Sequence, residues 1–251
     1  MNKLNQNTCL IVNTHSSNEE CLQLYFNQIS KYFDEIQNIY VFSDIKPNIK
    51  TDKLFKFIIY DNQKSFREQF LYCISKIPFK YVIYTNEDYI LYNKVNIEKL
   101  ELFISTLEND STIQYVRLMK GIDNYNIVYS KENCLNLIPY YDDNIFSQVT
   151  TIWKTDILKQ IYSSGPNLGI GINGDKSGHF ESYGSKICCE LKINGVYYYN
   201  GEKKRGMYHY DSDVFPHICS ALVKGKWNLR EYKEELMPLL NNIIIDAKGV
   251  Y

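Results

Sequence analysis

Paired cysteine spacing, net charge and long apolar runs are all missing from this chain of 251 residues. Its seven Cys keep no regular interval, and the adjacent Cys188-Cys189 is a poor seed for a disulfide framework. The thiols are therefore expected to stay reduced, in a cytoplasmic protein. A formal net charge of -1 provides no broad attraction to nucleic acid or to an anionic membrane surface, and neither is expected as a partner. No apolar run approaches the ~18 to 20 residues of a membrane span. The first residues, Met1-Asn-Lys-Leu-Asn-Gln-Asn-Thr8, lack the apolar core of a signal peptide.

The common phosphate and metal signatures are absent too. There is no G-x-x-x-x-G-K-[ST] and no G-x-G-x-x-G behind the first strand; Gly169-Ile-Gly171-Ile-Asn-Gly174 has the glycine spacing but follows a loop. Cysteine and histidine spacing gives no zinc site, and no G-x-S-x-G elbow occurs. What the chain has is a 45% hydrophobic content, enough for a large core, and a 15% aromatic share dominated by 23 Tyr and 12 Phe. Such side chains suit stacking against sugars or bases.

The first half alternates apolar strands with helical patterns. Strands are expected at Cys9–Val12, Ile39–Phe42, Phe57–Tyr60 and Lys80–Thr85. Ser16-Ser-Asn-Glu19 reads as a capping box opening a helix with Leu22, Phe26, Ile29, Phe33 and Ile36 on one face. A second helix aligns Phe66, Phe70, Ile74 and Ile77. Repeated strand–helix–strand units predict a mostly parallel central sheet covered by helices on both faces, an α/β/α sandwich.

Beyond Asp88 the expected order is a helix at Ile97–Leu107, a strand at Ile113–Leu118, a loop-rich stretch with a short extended run at Tyr125–Tyr129, and a strand at Val149–Trp153. A short helix over Thr155–Tyr162, a glycine-rich loop to Gly178, a helix over Glu181–Leu191, a strand at Val196–Tyr199 and a terminal helix over Leu229–Leu240 follow. With no internal repeat or linker, residues 1–251 are expected as one domain. About 1–118 would form a donor half and about 119–251 an acceptor and catalytic half.

Four segments concentrate polar chemistry. Asn86-Glu87-Asp88 closes a buried-strand pattern, where an open α/β sheet places its ligand crevice and where carboxylates can hold a divalent cation against phosphate. The alternative is a solvated turn. Ser177-Gly-His-Phe-Glu-Ser-Tyr-Gly184 offers Glu181 as a general base, or as a helix-start acid favoured by the macrodipole, with His179 a weaker candidate for the same role. Lys203 to Asp213 brings Lys204 and Arg205 close to His209 and Asp211, as cations for a leaving diphosphate and further metal ligands, or as a surface turn. The fourth is Phe215-Pro-His-Ile218 with Lys224 to Tyr232, in which Trp227 is a core anchor or an aromatic wall for a sugar ring. Asn13, Thr14 and Asp44, at the ends of the first two strands, and Arg67, inside the helix after the third, would line the edge where a nucleotide sits.

With these residues in place the chain resembles the GT-A class of nucleotide-sugar glycosyltransferases. The early β-α-β units, Tyr84-Thr-Asn-Glu-Asp-Tyr-Ile-Leu91 in the place of a DxD-like motif, the helix-start acid Glu181 and the late His209/Asp211 segment carry the likeness. It implies a GT-A-like, Rossmann-like fold and an activated donor, a UDP-sugar favoured among nucleoside-diphosphate sugars. It also implies a divalent metal, Mn2+ or Mg2+, and transfer to a hydroxyl of a glycan or polysaccharide acceptor. Asp88, His209 and Asp211 would be metal ligands, and Asn13, Thr14, Asp44, Arg67, Asn86, Glu87, Lys204 and Arg205 donor contacts. Glu181 would be the base of an inverting displacement, and His179, Tyr183 and Trp227 acceptor contacts. The class's usual first Asp is replaced by Asn86. Two other readings stay open, a sugar nucleotidyltransferase and a non-catalytic carbohydrate-binding protein of the same fold.

Overall fold

A computed structural model describes residues 3–121, 126–164, 177–206, 209–240 and 249–251, with the side chains of 3 and 177–179 excepted. The Gly169 to Gly174 stretch and the His179 side chain lie outside the described residues. Nine strands form one sheet: β1 (Thr8–Asn13), β2 (Ile39–Ser43), β3 (Lys56–Ile59), β4 (Tyr81–Asn86), β5 (Ile113–Arg117), β6 (Ile127–Ser130), β7 (Leu135–Ile138), β8 (Thr151–Lys154) and β9 (Asn194–Tyr198). Their spatial order is β3-β2-β1-β4-β8-β5-β9-β7-β6.

The first four strands pair in parallel, as their β-α-β spacing predicts. The rest is mixed. β8 runs antiparallel to both β4 and β5, β9 returns parallel to β5, and β7 pairs antiparallel with β9 and β6. The sheet also does not divide near residue 118, because β8 from the second half lies between β4 and β5 from the first. The crossovers that keep strands parallel need long connections, whereas β8 enters from a loop and leaves directly into a helix.

Period-two alternation sends successive residues of each strand to opposite faces. Leu10 and Val12 of β1 and Tyr81 and Ile83 of β4 join one core, with α2 (Glu19–Tyr32) and α4 (Ile97–Asn109) laid over it through Leu22, Phe26, Leu100 and Phe103. Cys9, Ile11, Val82 and Tyr84 join the other, under α3 (Phe66–Ser75), α5 (Thr155–Ser164) and α6 (Ser177–Glu190). A short α1 (Lys3–Asn7) leads into β1, and α7 (Leu229–Leu236) closes the described helices. The architecture is the expected α/β/α sandwich.

Local boundaries differ where tertiary bonds compete with capping. Ser16 does not cap α2: its amide and hydroxyl bond the Asp44 carboxylate at 2.7 and 2.6 Å, a 3-10 turn fills Ser16–Asn18, and α2 begins at Glu19. The capping box is instead at Ser65 and Glu68, before α3. Phe33 and Ile36, expected on the α2 face, lie past its end but remain buried in the same core. α6 starts four residues earlier than expected, at Ser177, and α7 ends before Pro238.

Candidate functional site

The carboxyl ends of β1, β2 and β4 form one edge. Asn13 is the register partner of Asn86, and the Thr14 amide continues the ladder to the Phe42 carbonyl at 2.9 Å. Tyr60 donates its hydroxyl to the Thr14 carbonyl at 2.7 Å, fixing the loop that leaves β1. The Asp44 side chain is only 4% exposed, and His15 Nε2 approaches it at 3.5 Å. Burial alone would raise its pKa, but the two bonds from Ser16 and the nearby His15 hold it below the usual carboxylate range. Asp44 thus anchors the β1–α2 connection at this edge.

The acidic motif divides its work. Glu87 is buried and accepts a bond from the Asn18 amide at 2.5 Å, tying β4 to the start of α2. Asp88 is half-buried, and its carbonyl accepts the Ala221 amide at 2.8 Å, so the C-terminal segment closes over it. Burial, followed by the neighbouring Glu87 charge, holds the Asp88 carboxyl well above its usual range. Tyr84 donates its hydroxyl to Asn86 Oδ1 at 2.9 Å. Burial raises the Tyr84 pKa, and the charges of Glu181, Glu87 and Asp88 add to it, so all three acids act on one phenol.

Glu181 lies one turn inside α6, where Oε1 accepts the Gln148 amide at 2.7 Å and the Ser147 hydroxyl at 3.3 Å. Asn86 Nδ2 donates to the carbonyl of the same Gln148 at 3.4 Å. A single residue therefore links the end of β4 to the acid on α6, although they are far apart in sequence. Glu181 also faces a cavity of about 810 Å³, shared with Tyr89, Arg117, Asn144, His209 and Arg230.

Several expected site residues have other work. Arg67 donates from Nε to the Tyr162 carbonyl at 2.5 Å and from Nη2 to the Ser163 carbonyl at 2.7 Å, capping the end of α5 rather than a diphosphate. Arg205 meets both oxygens of Asp211 at 3.0 Å, pairs with Glu235 and donates to the Glu231 carbonyl at 3.2 Å. The two residues assigned to phosphate and to metal thus engage each other. Lys204 is exposed, with its ammonium 5.9 Å from the Tyr210 ring. Trp227 is fully buried with Tyr232 and Leu236, so it is a core anchor and not a sugar platform. Tyr183 is exposed on α6 beside Lys186 and does not line the cavity.

His209 does line the cavity, but its Nε2 bonds the Tyr232 hydroxyl at 2.5 Å and burial lowers its pKa to about 4, leaving the imidazole neutral. Among the described residues no three His, Cys, Asp or Glu side chains are grouped to hold a metal. Mg2+ and Mn2+ are commonly held by one or two carboxylates, with phosphate oxygens and water completing the shell. Asp88 at the strand end fits that limited role, while Asp211 does not.

Sequence reading missed Arg117 and Tyr89 as cavity residues, and it gave His217 no role beyond its place in Phe215-Pro-His-Ile218. The first two sit in apolar strand patterns and look like core. His217 is buried between Tyr89 and Phe215; its Nδ1–H donates to the Phe215 carbonyl at 2.6 Å, so Nε2 accepts from the Thr150 hydroxyl at 3.1 Å. Burial lowers its pKa to about 4. Since the unfolded imidazole titrates near ~6.5, the stability that His217 contributes is complete above that pH and is lost as pH falls towards 4. At pH 5 the loss is about 2 kcal/mol. Urea denaturation at pH 7 and pH 5 should therefore show a larger acid loss for the native chain than for His217→Gln.

No protein-family model matches the sequence, and no curated protein matches it. Solved structures do match. The 1-349 fragment of S. aureus TarS in complex with UDP aligns with a TM-score of 0.53 and 15% identity, over 82% of this chain and 60% of that one. The same fragment with UDP-GlcNAc aligns at 0.51 and 16%, over 79% and 60%. A mannosyltransferase from Pyrobaculum calidifontis in complex with GDP-Man and Mn2+ aligns at 0.53 and 12%, over 89% and 59%. The chain thus spans about 60% of the length of these structures. This is the GT-A fold. In that GT-A frame, the edge holding Asn13, Thr14 and Asn86 is the carboxyl end of the parallel strands, where open α/β sheets bind ligands.

Proposed function

We propose that the protein is a glycosyltransferase that moves a sugar from a nucleoside-diphosphate sugar, a UDP-sugar favoured, to a hydroxyl of a glycan or polysaccharide acceptor. The observation that carries this reading is the hydrogen-bonded link from Asn86 through Gln148 to Glu181, which ties the strand-end donor edge to an acid on the wall of the neighbouring cavity. The fold shared with structures holding UDP, UDP-GlcNAc and GDP-Man supports it. Residues 1–118 supply the donor edge, and most of the cavity wall comes from 119–251.

Asn13, Thr14 and the Asp44-anchored loop face the base and ribose, and Asn86 and Glu87 border the donor sugar. A divalent cation, Mn2+ or Mg2+, held by Asp88 would neutralise diphosphate charge when bound. Glu181 takes the proton from the acceptor hydroxyl as its oxygen bonds to the anomeric carbon. The bond from that carbon to the diphosphate oxygen breaks, and the nucleoside diphosphate leaves with the electron pair. Attack opposite the leaving group inverts the anomeric centre.

A panel of nucleotide sugars with Mn2+ tests the reading through donor hydrolysis and transfer. Turnover of at least one donor is expected, with release of the nucleoside diphosphate. Pyrophosphate release from a nucleoside triphosphate and a sugar phosphate would favour the nucleotidyltransferase instead. Glycan binding indifferent to nucleotide and to Glu181→Gln would favour the non-catalytic alternative. Asp88→Asn is expected to lower turnover at least about 100-fold. The same change removes a carboxyl whose ionisation burial opposes, so the folded state loses stability as pH rises through its raised pKa, and the variant should melt higher than the native chain at pH 8.

A further inference from the structure

The cavity beside Glu181 is lined by a buried cation, Arg117, that forms no ion pair among the described residues. Arg117 is the last residue of β5, paired in register with Thr151 of β8 and Tyr197 of β9, so its side chain rises from the centre of the sheet at the carboxyl end. It is 2% exposed, yet it lines the cavity. Nη2 donates to the Asn144 carbonyl at 2.8 Å and to the Ile145 carbonyl at 3.3 Å; Nε is buried with no partner. Among the described residues, Nη1 makes no hydrogen bond and no carboxylate forms an ion pair with this guanidinium. Asp142, on the same turn as Asn144, directs Oδ1 to the Asn144 amide, and its Oδ2 is buried without a partner.

A buried guanidinium keeps its charge at any physiological pH, so burial cannot be relieved by deprotonation. Two carbonyls offset only part of the lost hydration, and the rest stays as a cost unless an anion arrives. Arg230 lines the same cavity and adds a second guanidinium; it lies 3.8 Å from Glu231 in an exposed contact that leaves most of its side chain in solvent. Asp143, Glu181 and Glu231 also border the space, so the anion must be held by directed bonds rather than by the net field.

We infer that Arg117 receives an oxyanion, phosphate or carboxylate, carried by the acceptor, and that the protein selects charged over neutral acceptors. The assignment of the anion to the acceptor rests on the glycosyltransferase reading, since the cavity borders Glu181 and none of the strand-end donor residues. Arg117 is then a specificity-determining contact. An anion in its fork sets the distance of the attacked hydroxyl from Glu181.

Thermal melting of the full chain with inorganic phosphate and with methyl glucuronide tests the site, with methyl glucoside as the neutral control, each with and without UDP and Mn2+. The expected result is stabilisation by at least one anion and not by methyl glucoside, unchanged when UDP saturates the donor edge. Arg117→Met should weaken that binding about tenfold or more. Because this variant alters a buried residue, Ser182→Trp supplies a second measurement: position 182 is exposed on α6 at the cavity wall, and the indole should block the space without disturbing the core. Loss of anion binding in Ser182→Trp supports the site. Absence of any anion effect in the native chain, or competition of the anion by UDP, overturns it. Anion binding through Arg117 with no response to any nucleotide or nucleotide sugar would leave this site standing and remove the donor reading instead.

Discussion

Glu181→Gln should cut sugar transfer by orders of magnitude while leaving donor binding intact. The amide keeps the shape of the side chain and its carbonyl oxygen can still accept from Gln148 and Ser147, so the local fold survives. It cannot take a proton. Loss of a general base lowers turnover by roughly 10²- to 10⁴-fold, and the effect should fall on kcat with little change in the nucleotide-sugar KM. The same variant should bind its donor much as the native chain does in the absence of acceptor. A proportional fall in donor affinity would mean that Glu181 contacts the donor, and an unchanged kcat would remove it from catalysis.

Arg205→Ala should unfold the protein more readily rather than weaken its hold on a diphosphate. The Arg205, Asp211 and Glu235 side chains are 13%, 17% and 13% exposed, and Glu235 Oε2 is already buried without a partner. Removing the guanidinium leaves two largely buried carboxylates uncompensated, which costs about 3 kcal/mol. For a chain of this length that lowers the thermal midpoint by roughly 6 to 12 °C. Arg205→Lys keeps the charge but loses the forked contacts and should fall between. A raised donor KM at an unchanged melting temperature would restore Arg205 to the donor site.

The two Arg residues of these arguments show why part of the site was legible in sequence and part was not. Arg205 stands in a run of three cations, which draws attention, yet its partners Asp211 and Glu235 lie six and thirty residues away and neutralise it. Arg117 stands in an apolar strand and reads as an edge residue of the core, yet it lines the cavity and forms no ion pair among the described residues. Charge patterning along the chain reports composition, whereas the availability of a charge depends on what the fold places against it. Trp227 makes the same point: an aromatic residue can be a platform or an anchor, and only the packing of Tyr232 and Leu236 decides.

The strands of the parallel half and their order of appearance needed no tertiary information, whereas β7 falls in a stretch read as loop-rich. Period-two burial in Leu10, Val12, Tyr81 and Ile83 and helical spacing in Phe66, Phe70 and Ile74 follow from local chemistry, so the parallel half of the sheet and its covering helices could be read directly. The position of Asn86-Glu87-Asp88 at a strand end was part of that reading. What the tertiary structure decided was long-range: β8 entering antiparallel between β4 and β5, Ser16 turning from a helix cap to a ligand of Asp44, and Gln148 joining Asn86 to Glu181. Each of those contacts spans tens of residues, and its partner is chosen by competition for hydrogen bonds and buried space across the whole chain, which no local window contains.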